Sequence, residues 1–329
     1  MASRKALITD YVWPNIDVES EVLRTGGVEP VVAPDTSEAT LAELASDADI
    51  IMFCFAQVTG NVLRAAEKCM VASRYGIGVD NIDIPTATEL GIVVTNVPDY
   101  CMDEVTDHAL GMILALNRRL GQHDAEVKRG GWASVALDQP MHRTRGATLG
   151  ILGYGRIGRS IADKAVGFGM NIIAYDPLIE PGQSIGDVEI VSFEEVLKRS
   201  HFVTVHTPLT PETEGMIGHD ELAMMMPGSI IVNCARGGII EEQALADALN
   251  SGHLAGAGLD VVEPAPPPND HPLVSAKNII ITPHTAFFSQ ASTVELERRT
   301  AQEALRVLNG NPPENLINPD VMGRSRVGI

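Results

Sequence analysis

The chain has 329 residues, 45% of them hydrophobic and 20% charged, which is the composition of a globular protein with room for two domains. Its formal net charge of −19 argues against nucleic acid and anionic membranes as partners, because both attract basic surfaces. The sequence begins without a signal-peptide core and has no apolar run of membrane-spanning length, which predicts a cytoplasmic location.

The first third alternates short apolar runs with amphipathic segments. Strands are predicted at Lys5–Thr9, Glu29–Ala33, Ile50–Cys54 and Ile92–Thr95, and helices at Ile16–Thr25, Leu41–Ala45 and Val62–Cys69. Apolar, β-branched strands that alternate with helices indicate a parallel sheet covered on both faces.

A second α/β pattern follows a long helix, which is predicted from Asp103 to Leu116 with a polar continuation to Lys128. Further strands, with helices between them, are predicted at Leu149–Leu152, Asn171–Tyr175, Phe202–His206, Ser229–Asn233, Ala257–Asp260 and Ile279–Thr282. This is the pattern of a doubly wound parallel sheet. A last helix is predicted from Thr293 to Leu308.

A glycine-rich loop, Gly153-Tyr154-Gly155-Arg156-Ile157-Gly158, joins a predicted strand to a predicted helix that runs to about Phe168. The first glycine permits a tight turn, the second a close approach to a pyrophosphate, and the third close packing of helix on strand. The N-terminus of the helix then faces the diphosphate. The alternative is an ordinary cluster of turn glycines.

Asp176 ends the next predicted strand, 18 residues after Gly158. This is the place of the acid that binds the adenosine ribose in dinucleotide sites. Because a carboxylate repels a 2′-phosphate and Pro177-Leu178 supplies no arginine, the sequence predicts NAD rather than NADP as the cofactor.

Two cationic or titratable side chains follow the ends of later strands. Arg236, in Cys234-Ala235-Arg236-Gly237-Gly238, can grip a carboxylate with its planar fork, although a surface salt bridge is an alternative. His284 can exchange a proton near neutral pH, although a capping or core histidine is an alternative. Ligands of open α/β sheets lie outside the carboxyl ends of the strands, so both side chains can reach one crevice.

The motifs GILGYGRIG, YDP, HTPLTPET, NCARGG, AGAGLDV and NIIITPH together resemble the D-2-hydroxyacid dehydrogenase family. The resemblance covers nearly the whole chain. Within the family, RYGIGVDNIDI, NVPDYCMDEVTDHAL and TPHTAFFS are most similar to the C-terminal-binding-protein and phosphoglycerate-dehydrogenase branches.

The resemblance implies roles for individual residues. Arg236 would bind the substrate carboxylate and carbonyl, and His284 would be the acid/base. The remaining implied contacts are substrate contacts by Arg74, Ile77, Gly78 and Phe287, a cofactor phosphate contact by Thr106, and further cofactor contacts by Thr207, Pro208, Thr213, Cys234 and Asp260. For Phe287, which would favour small or apolar substrate side chains, plain packing is the alternative.

The family also pairs the histidine with a glutamate, and here the ungapped register puts Ala265 at that position. Three explanations stay open. Ala265 is an engineered substitution, or Glu263 takes the role through a shifted loop, or the protein works naturally without the pair. The second requires a different side-chain direction across a stiff Pro264.

The family's architecture implies two domains. Residues 1–98 and 290–329 would form a flavodoxin-like substrate-binding domain, and residues 99–289 an inserted Rossmann domain. The long helix from Asp103 and the polar stretch 118–145 resemble the family's dimerisation elements, which predicts a homodimer.

The sequence therefore predicts NAD-dependent hydride transfer between a 2-keto acid and a D-2-hydroxy acid. Two alternatives are an NAD(H)-sensing interaction protein, like the C-terminal-binding proteins, and a redox-neutral, lyase-type reaction that uses bound NAD. No metal site is predicted, because neither the histidines nor the four cysteines, Cys54, Cys69, Cys101 and Cys234, have ligand spacing. The cysteines are expected to be reduced.

Overall fold

The computed structural model describes residues 4–132 and 140–329. The chain divides into two compact units, one made of Met1–Tyr100 with Ser289–Ile329 and the other of Cys101–Phe288. The assignment of substrate binding to the first and cofactor binding to the second stays a prediction of the sequence analysis.

The strands are β1 (Arg4–Ile8), β2 (Val28–Val32), β3 (Ile50–Phe53), β4 (Val71–Arg74), β5 (Val93–Thr95), β6 (Thr148–Leu152), β7 (Asn171–Tyr175), β8 (Ser184–Ile185), β9 (Val188–Ile190), β10 (Phe202–Val205), β11 (Ile230–Asn233), β12 (Gly256–Leu259) and β13 (Ile279–Ile281). The helices are α1 (Asp17–Thr25), α2 (Glu38–Ala45), α3 (Gly60–Ala65), α4 (Ile84–Glu89), α5 (Met102–Asn117), α6 (Leu120–Lys128), α7 (Arg156–Val166), α8 (Phe193–Arg199), α9 (His219–Met224), α10 (Glu242–Asn250) and α11 (Gln290–Leu308).

The first unit contains a parallel sheet in the order β2-β1-β3-β4-β5. Its core is apolar and includes Leu7, Ile51, Phe53, Val62 and Val94. Strand β4 and helix α4 were not predicted from the sequence. The four residues Val-Ala-Ser-Arg of β4 contain no apolar run, yet all four are buried.

The second unit contains a sheet in the order β13-β12-β11-β10-β6-β7-β9-β8, parallel except for the short pair β8 and β9. Alternate residues pack into two cores on opposite faces: Phe202, Ile230 and Val232 enter one, while Val203 and Ile231 enter the other. The α/β doubly wound class predicted from the sequence is confirmed. Strands β8 and β9 were missed because they are only two and three residues long.

The prediction of one continuous helix from Asp103 to Lys128 is wrong, because the helix is interrupted at Arg119. This residue has a φ of +53°, in the left-handed region, which ends α5 at Asn117 and starts α6 at Leu120. Residues 133–139 of the predicted dimerisation stretch lie outside the described residues.

The strand order places the candidate site. From β6 the chain moves outward to β7 on one side, and the later strand β10 lies on the other side of β6. This reversal is the topological switch point at which α/β sheets bind ligands, at the carboxyl ends of the strands. Within residues 4–132 and 140–329, no helix combines the length and hydropathy required to cross a membrane.

Candidate active site

The glycine loop after β6 has the tight backbone that the sequence predicted for it. Gly153 has a φ of +94°, and a Cβ there would lie 2.7 Å from the carbonyl group of His206. A Cβ on Gly158 would lie 2.1 Å from the carbonyl oxygen of Gly153. By contrast, a Cβ on Gly155 would meet only open space, so a ligand can approach the backbone there.

Helix α7 begins directly after this loop. Gly155 is its N-cap and cannot cap the first N–H groups with a side chain. Arg156 is exposed, Ile157 is half-buried, and Tyr154 is buried with the Arg159 guanidinium 4.6 Å above its ring. The helix therefore presents uncapped backbone donors and its positive dipole end at the carboxyl edge of the sheet.

Asp176 stands beside this loop, one residue beyond the end of β7. Its carboxylate accepts the N–H of Tyr154 at 2.9 Å and that of Leu178 at 3.0 Å. Two bonds leave a carboxylate with capacity for further donors such as ribose hydroxyls.

The loop after β10 lies against the glycine loop and contains Thr207, Pro208 and Thr213. The Thr207 hydroxyl oxygen is buried and has no hydrogen-bond partner among the described residues. Pro208 is exposed, while the Thr213 hydroxyl donates to the Pro208 carbonyl at 2.6 Å and so closes the turn. A buried hydroxyl without a partner at this edge fits a bound polar ligand.

Thr106 lies inside the protein and not at the surface, where the implied contact with a cofactor phosphate would be made. It is fully buried in α5, and its hydroxyl donates to the carbonyl of Met102 at 2.6 Å and lies 3.2 Å from the Ser160 hydroxyl. The implied phosphate contact stays a prediction.

Together, the close-packed loop, the uncapped helix and Asp176 fit a dinucleotide.

Arg236 lies in the loop after β11, which Asn233 shapes. The Asn233 amide donates to the carbonyl of Arg236 at 2.8 Å and accepts the N–H of Ala235 at 2.9 Å. The guanidinium is half-buried, and its Nη1 donates to the Ala235 carbonyl at 2.8 Å. Gly237 is required next, because a Cβ there would lie 2.7 Å from the carbonyl group of Val262.

Asp260 holds the loop that carries His284. It is 1% exposed, and its carboxylate accepts the N–H groups of Thr285 at 2.9 Å and Ala286 at 2.8 Å. The backbone N–H of His284 donates to the Asp260 carbonyl at 2.8 Å. The sequence analysis placed Asp260 only beside the cofactor, whereas its contacts here fix the 282–286 loop.

His284 itself has a φ of +53°. For a non-glycine residue this conformation costs roughly 1–3 kcal/mol, and such strain clusters at functional sites. The imidazole is half-buried, and the Phe287 ring lies 6.3 Å from it in an edge-on arrangement. Phe287 is 8% exposed, so it forms an apolar side of the histidine's surroundings.

His108 belongs to the same network, although the sequence analysis did not identify it. Its Nε2 lies 2.9 Å from the Thr282 hydroxyl, which in turn donates to the Asp260 carboxylate at 2.5 Å. Because that hydroxyl hydrogen is used, Nε2–H of His108 is the donor to Thr282. His108 lies near the middle of a predicted helix, and no sequence pattern there predicts this contact.

The segment after β12, which contains Ala265, is tied to α10 through Glu242. That carboxylate accepts the Glu263 N–H at 2.8 Å and pairs with Nε2 of His271 at 2.6 Å. The side chains of Glu263 and Ala265 are exposed.

Cys234 lies between β11 and Arg236. Burial raises the pKa of its thiol far above the usual range, and the nearby Asp260 charge acts in the same direction. The thiol therefore stays protonated, which argues against a nucleophilic role. Among the described residues, no group of three or more histidine, cysteine or acidic side chains is placed to hold a metal ion.

In the first unit, the 76–78 loop follows β4 and is held by two side chains. Arg74 donates from Nε to the carbonyl of Gly78 at 3.0 Å, and Asn96 donates to the carbonyl of Ile77 at 2.7 Å. Arg74 is only 6% exposed. The implied substrate contacts of Arg74, Ile77 and Gly78 stay predictions.

Comparison with known proteins gives a consistent family assignment. Residues 110–286 match the family model described as the NAD binding domain of D-isomer specific 2-hydroxyacid dehydrogenases. A D-3-phosphoglycerate dehydrogenase of Methanocaldococcus jannaschii is 40% identical over 98% of this chain, but the chain spans only 61% of that relative's length. A glyoxylate reductase of Thermococcus litoralis is 39% identical, covering 82% of this chain and 83% of the relative.

A solved structure agrees with these relatives. D-lactate dehydrogenase from Aquifex aeolicus, in complex with NAD and lactic acid, superimposes with a TM-score of 0.85 at 26% identity, covering 95% of this chain and 99% of that one.

Proposed function

The chain belongs to the D-isomer specific 2-hydroxyacid dehydrogenase family, and we propose that it interconverts a 2-keto acid and a D-2-hydroxy acid with NAD as cofactor. The observation that carries the proposal is the linkage of three loops at one sheet edge. Gly237, next to Arg236, packs on the segment that begins with Asp260, and Asp260 fixes the loop of His284.

Each side chain has a role that its chemistry allows. Arg236 binds the carboxylate of the acid through its planar guanidinium and orients C2. His284 donates a proton to the C2 oxygen during reduction and removes it during oxidation. Bound NADH supplies the hydride that C2 receives, and NAD⁺ accepts it in the reverse direction.

The proposed cofactor contacts are made by the glycine loop after β6, by the start of α7 and by Asp176. The backbone of Gly153–Gly158 and the start of α7 would hold the diphosphate, and Asp176 would accept the ribose hydroxyls. The carboxylate at this position supports the choice of NAD over NADP. The homodimer and the cytoplasmic location predicted from the sequence remain proposals.

The experiment is NADH oxidation with a panel of 2-keto acids, followed spectrophotometrically with the wild type, His284→Ala and Arg236→Lys. The wild type should reduce at least one acid, and His284→Ala should lose turnover by roughly 10²–10⁴-fold while it still binds NADH. Arg236→Lys should raise KM, because an ammonium group cannot form the bidentate contact. If no acid is reduced, or if His284→Ala keeps its activity, the proposal fails.

A further inference from the structure

The carboxyl edge of the five-stranded sheet in the first unit is acidic. The segments that follow its strands contain five aspartates and neither lysine nor arginine: 9–16, 33–37, 54–59, 75–83 and 96–100. Ligands of open α/β sheets bind at this edge. Cations at this edge include Arg74, the last residue of β4, and Arg299 of α11, which pairs with Asp99 at 2.7 Å.

Resting on the proposed function, we infer that the substrate carries a single anionic group, its carboxylate, and an uncharged, apolar side chain on C2. This choice separates the chain from the relatives named D-3-phosphoglycerate dehydrogenase, whose substrate carries a phosphate as well. Three features of the first unit support it.

The first feature is a set of backbone donors that the chain already fills. Successive N–H groups of Cys54, Phe55 and Ala56 point to one place at the end of β3, which is the arrangement that binds anions such as phosphate. The carboxylate of Asp10 occupies it, at 3.0, 2.6 and 3.1 Å from the three nitrogens. A substrate phosphate would meet a carboxylate there instead of free donors.

The second feature is how Arg74 uses its hydrogen-bond donors. Nε binds the carbonyl of Gly78, and Nη1 binds the carbonyls of Tyr75 and Phe53. Its guanidinium carbon lies 5.7 Å from the ring centre of Phe53 and 5.9 Å from that of Phe55. Arg74 therefore contributes a positive charge beside the 76–78 loop, but its Nε and Nη1 donors are already used by backbone carbonyls.

The third feature is the apolar surface at the same edge. The Phe55 ring is 38% exposed beside Arg74, and Val12 is 54% exposed after β1. Trp13, which follows Val12, and Tyr75 are buried and pack edge to face with ring centres 4.9 Å apart. An apolar group on C2 gains by covering such a surface, whereas a phosphate would lose its hydration next to the Asp10 carboxylate.

The test compares kcat/KM for four acids with NADH: 4-methyl-2-oxopentanoate, phenylpyruvate, glyoxylate and 3-phosphohydroxypyruvate. The two apolar acids should exceed the phosphorylated acid by at least about 100-fold, since the Asp10 carboxylate repels a second anion and occupies the backbone donors that would bind it. If the phosphorylated acid is the best substrate, the inference is wrong while the proposed function stands. If no acid is reduced, the proposed function itself fails and the inference fails with it.

A matched pair of variants locates the effect. Phe55→Ala should lower kcat/KM for phenylpyruvate by about tenfold and leave that for glyoxylate nearly unchanged, because only the larger acid covers the ring. The control is Phe168→Ala in the second unit, where the ring is exposed to the same degree, 39%. Equal loss for both acids in Phe55→Ala, or no loss for phenylpyruvate, would overturn the inference.

Discussion

Thr282 donates its hydroxyl hydrogen to the carboxylate of Asp260 at 2.5 Å, two residues before His284. The same carboxylate holds the N–H groups of Thr285 and Ala286, so one buried acid fixes the loop on both sides of the histidine. Because His284 has a left-handed backbone, these bonds also stabilise a conformation that the residue alone disfavours.

Thr282→Val should weaken catalysis without weakening cofactor binding. Valine has nearly the same shape but cannot donate to Asp260 or accept from His108, and a lost bond to a charged group costs about 1.5–3 kcal/mol. We expect kcat to fall by roughly tenfold or more, since each 1.36 kcal/mol in the barrier is a factor of ten. NADH affinity, measured by fluorescence titration, should stay within error.

Thr282→Ser is the control because it keeps the hydroxyl and removes only a methyl group. It should retain near wild-type kcat. If the serine and valine variants are equally impaired, packing rather than the hydrogen bond accounts for the effect.

Ala265→Glu tests the prediction from the sequence that position 265 is the one at which the family carries a glutamate. A carboxylate beside an imidazolium favours the charged form, so the pKa of the acid in the reduction reaction should rise. Reduction should then persist to higher pH, and kcat should increase by about tenfold or more if general acid catalysis limits the rate. The measurement is the pH dependence of kcat and of kcat/KM.

The control for this prediction is Ala265→Gln, which has the same length without the charge. A similar gain in both variants would show that side-chain volume acts rather than charge. If Glu263→Gln abolishes activity in the unaltered chain while Ala265→Glu changes nothing, the explanation in which Glu263 takes the role gains support.

Asp176→Asn should relax the preference for NADH. The amide keeps one acceptor for the N–H of Tyr154 but loses the charge that opposes a 2′-phosphate. Like charges about 4 Å apart repel by ~1 kcal/mol in water and ~4 kcal/mol near a protein surface, so the NADH-to-NADPH ratio of kcat/KM should fall by at least about tenfold. Asp187→Asn, an exposed aspartate between β8 and β9, should leave the ratio unchanged. A ratio that also stays constant in Asp176→Asn would exclude this acid as the discriminating group.

Sequence patterns identified the elements whose side chains are locally apolar. Strands β6, β7 and β11, which precede Gly153, Asp176 and Arg236, are such runs, and their positions follow from periodicity and glycine spacing. Strand β4 was not predicted because its burial depends on neighbouring residues. Arg74 is covered by the rings of Phe53 and Phe55 and donates hydrogen bonds to backbone carbonyls.

The candidate site, like the fold, was predicted only in part from the sequence. Motifs identified Arg236 and His284, which are single residues at strand ends. The left-handed backbone of His284 and the chain from His108 through Thr282 to Asp260 join residues 174 and 22 positions apart. No local pattern encodes such contacts, because they arise only when the strands are paired.

We expect the carboxyl groups of Glu19 and Glu297 to make the stability of the first unit depend on pH. Glu19 in α1 is fully buried and accepts hydrogen bonds from Tyr75 at 3.1 Å and Trp13 at 3.3 Å, and Glu297 in α11 is 4% exposed. Burial, with the neighbouring Glu19 charge second, raises the pKa of Glu297 to about 8. Burial also raises the pKa of Glu19.

An acid whose pKa is raised by folding stabilises the native state in its protonated form. This contribution is fully present below the ordinary glutamate pKa, declines as the pH rises, and is lost above about 8, where Glu297 ionises. A shift of this size corresponds to about 3–5 kcal/mol. Glu297→Gln removes the ionisation, so its free energy of unfolding should exceed that of the wild type at pH 9 and match it near pH 5.

Urea unfolding of both proteins at several pH values measures this difference. Glu21→Gln, which removes an exposed carboxylate from the same helix as Glu19, is the control and should shift little at any pH. A constant difference between the Glu297→Gln variant and the wild type from pH 5 to 9 would mean that the pair does not titrate in this range.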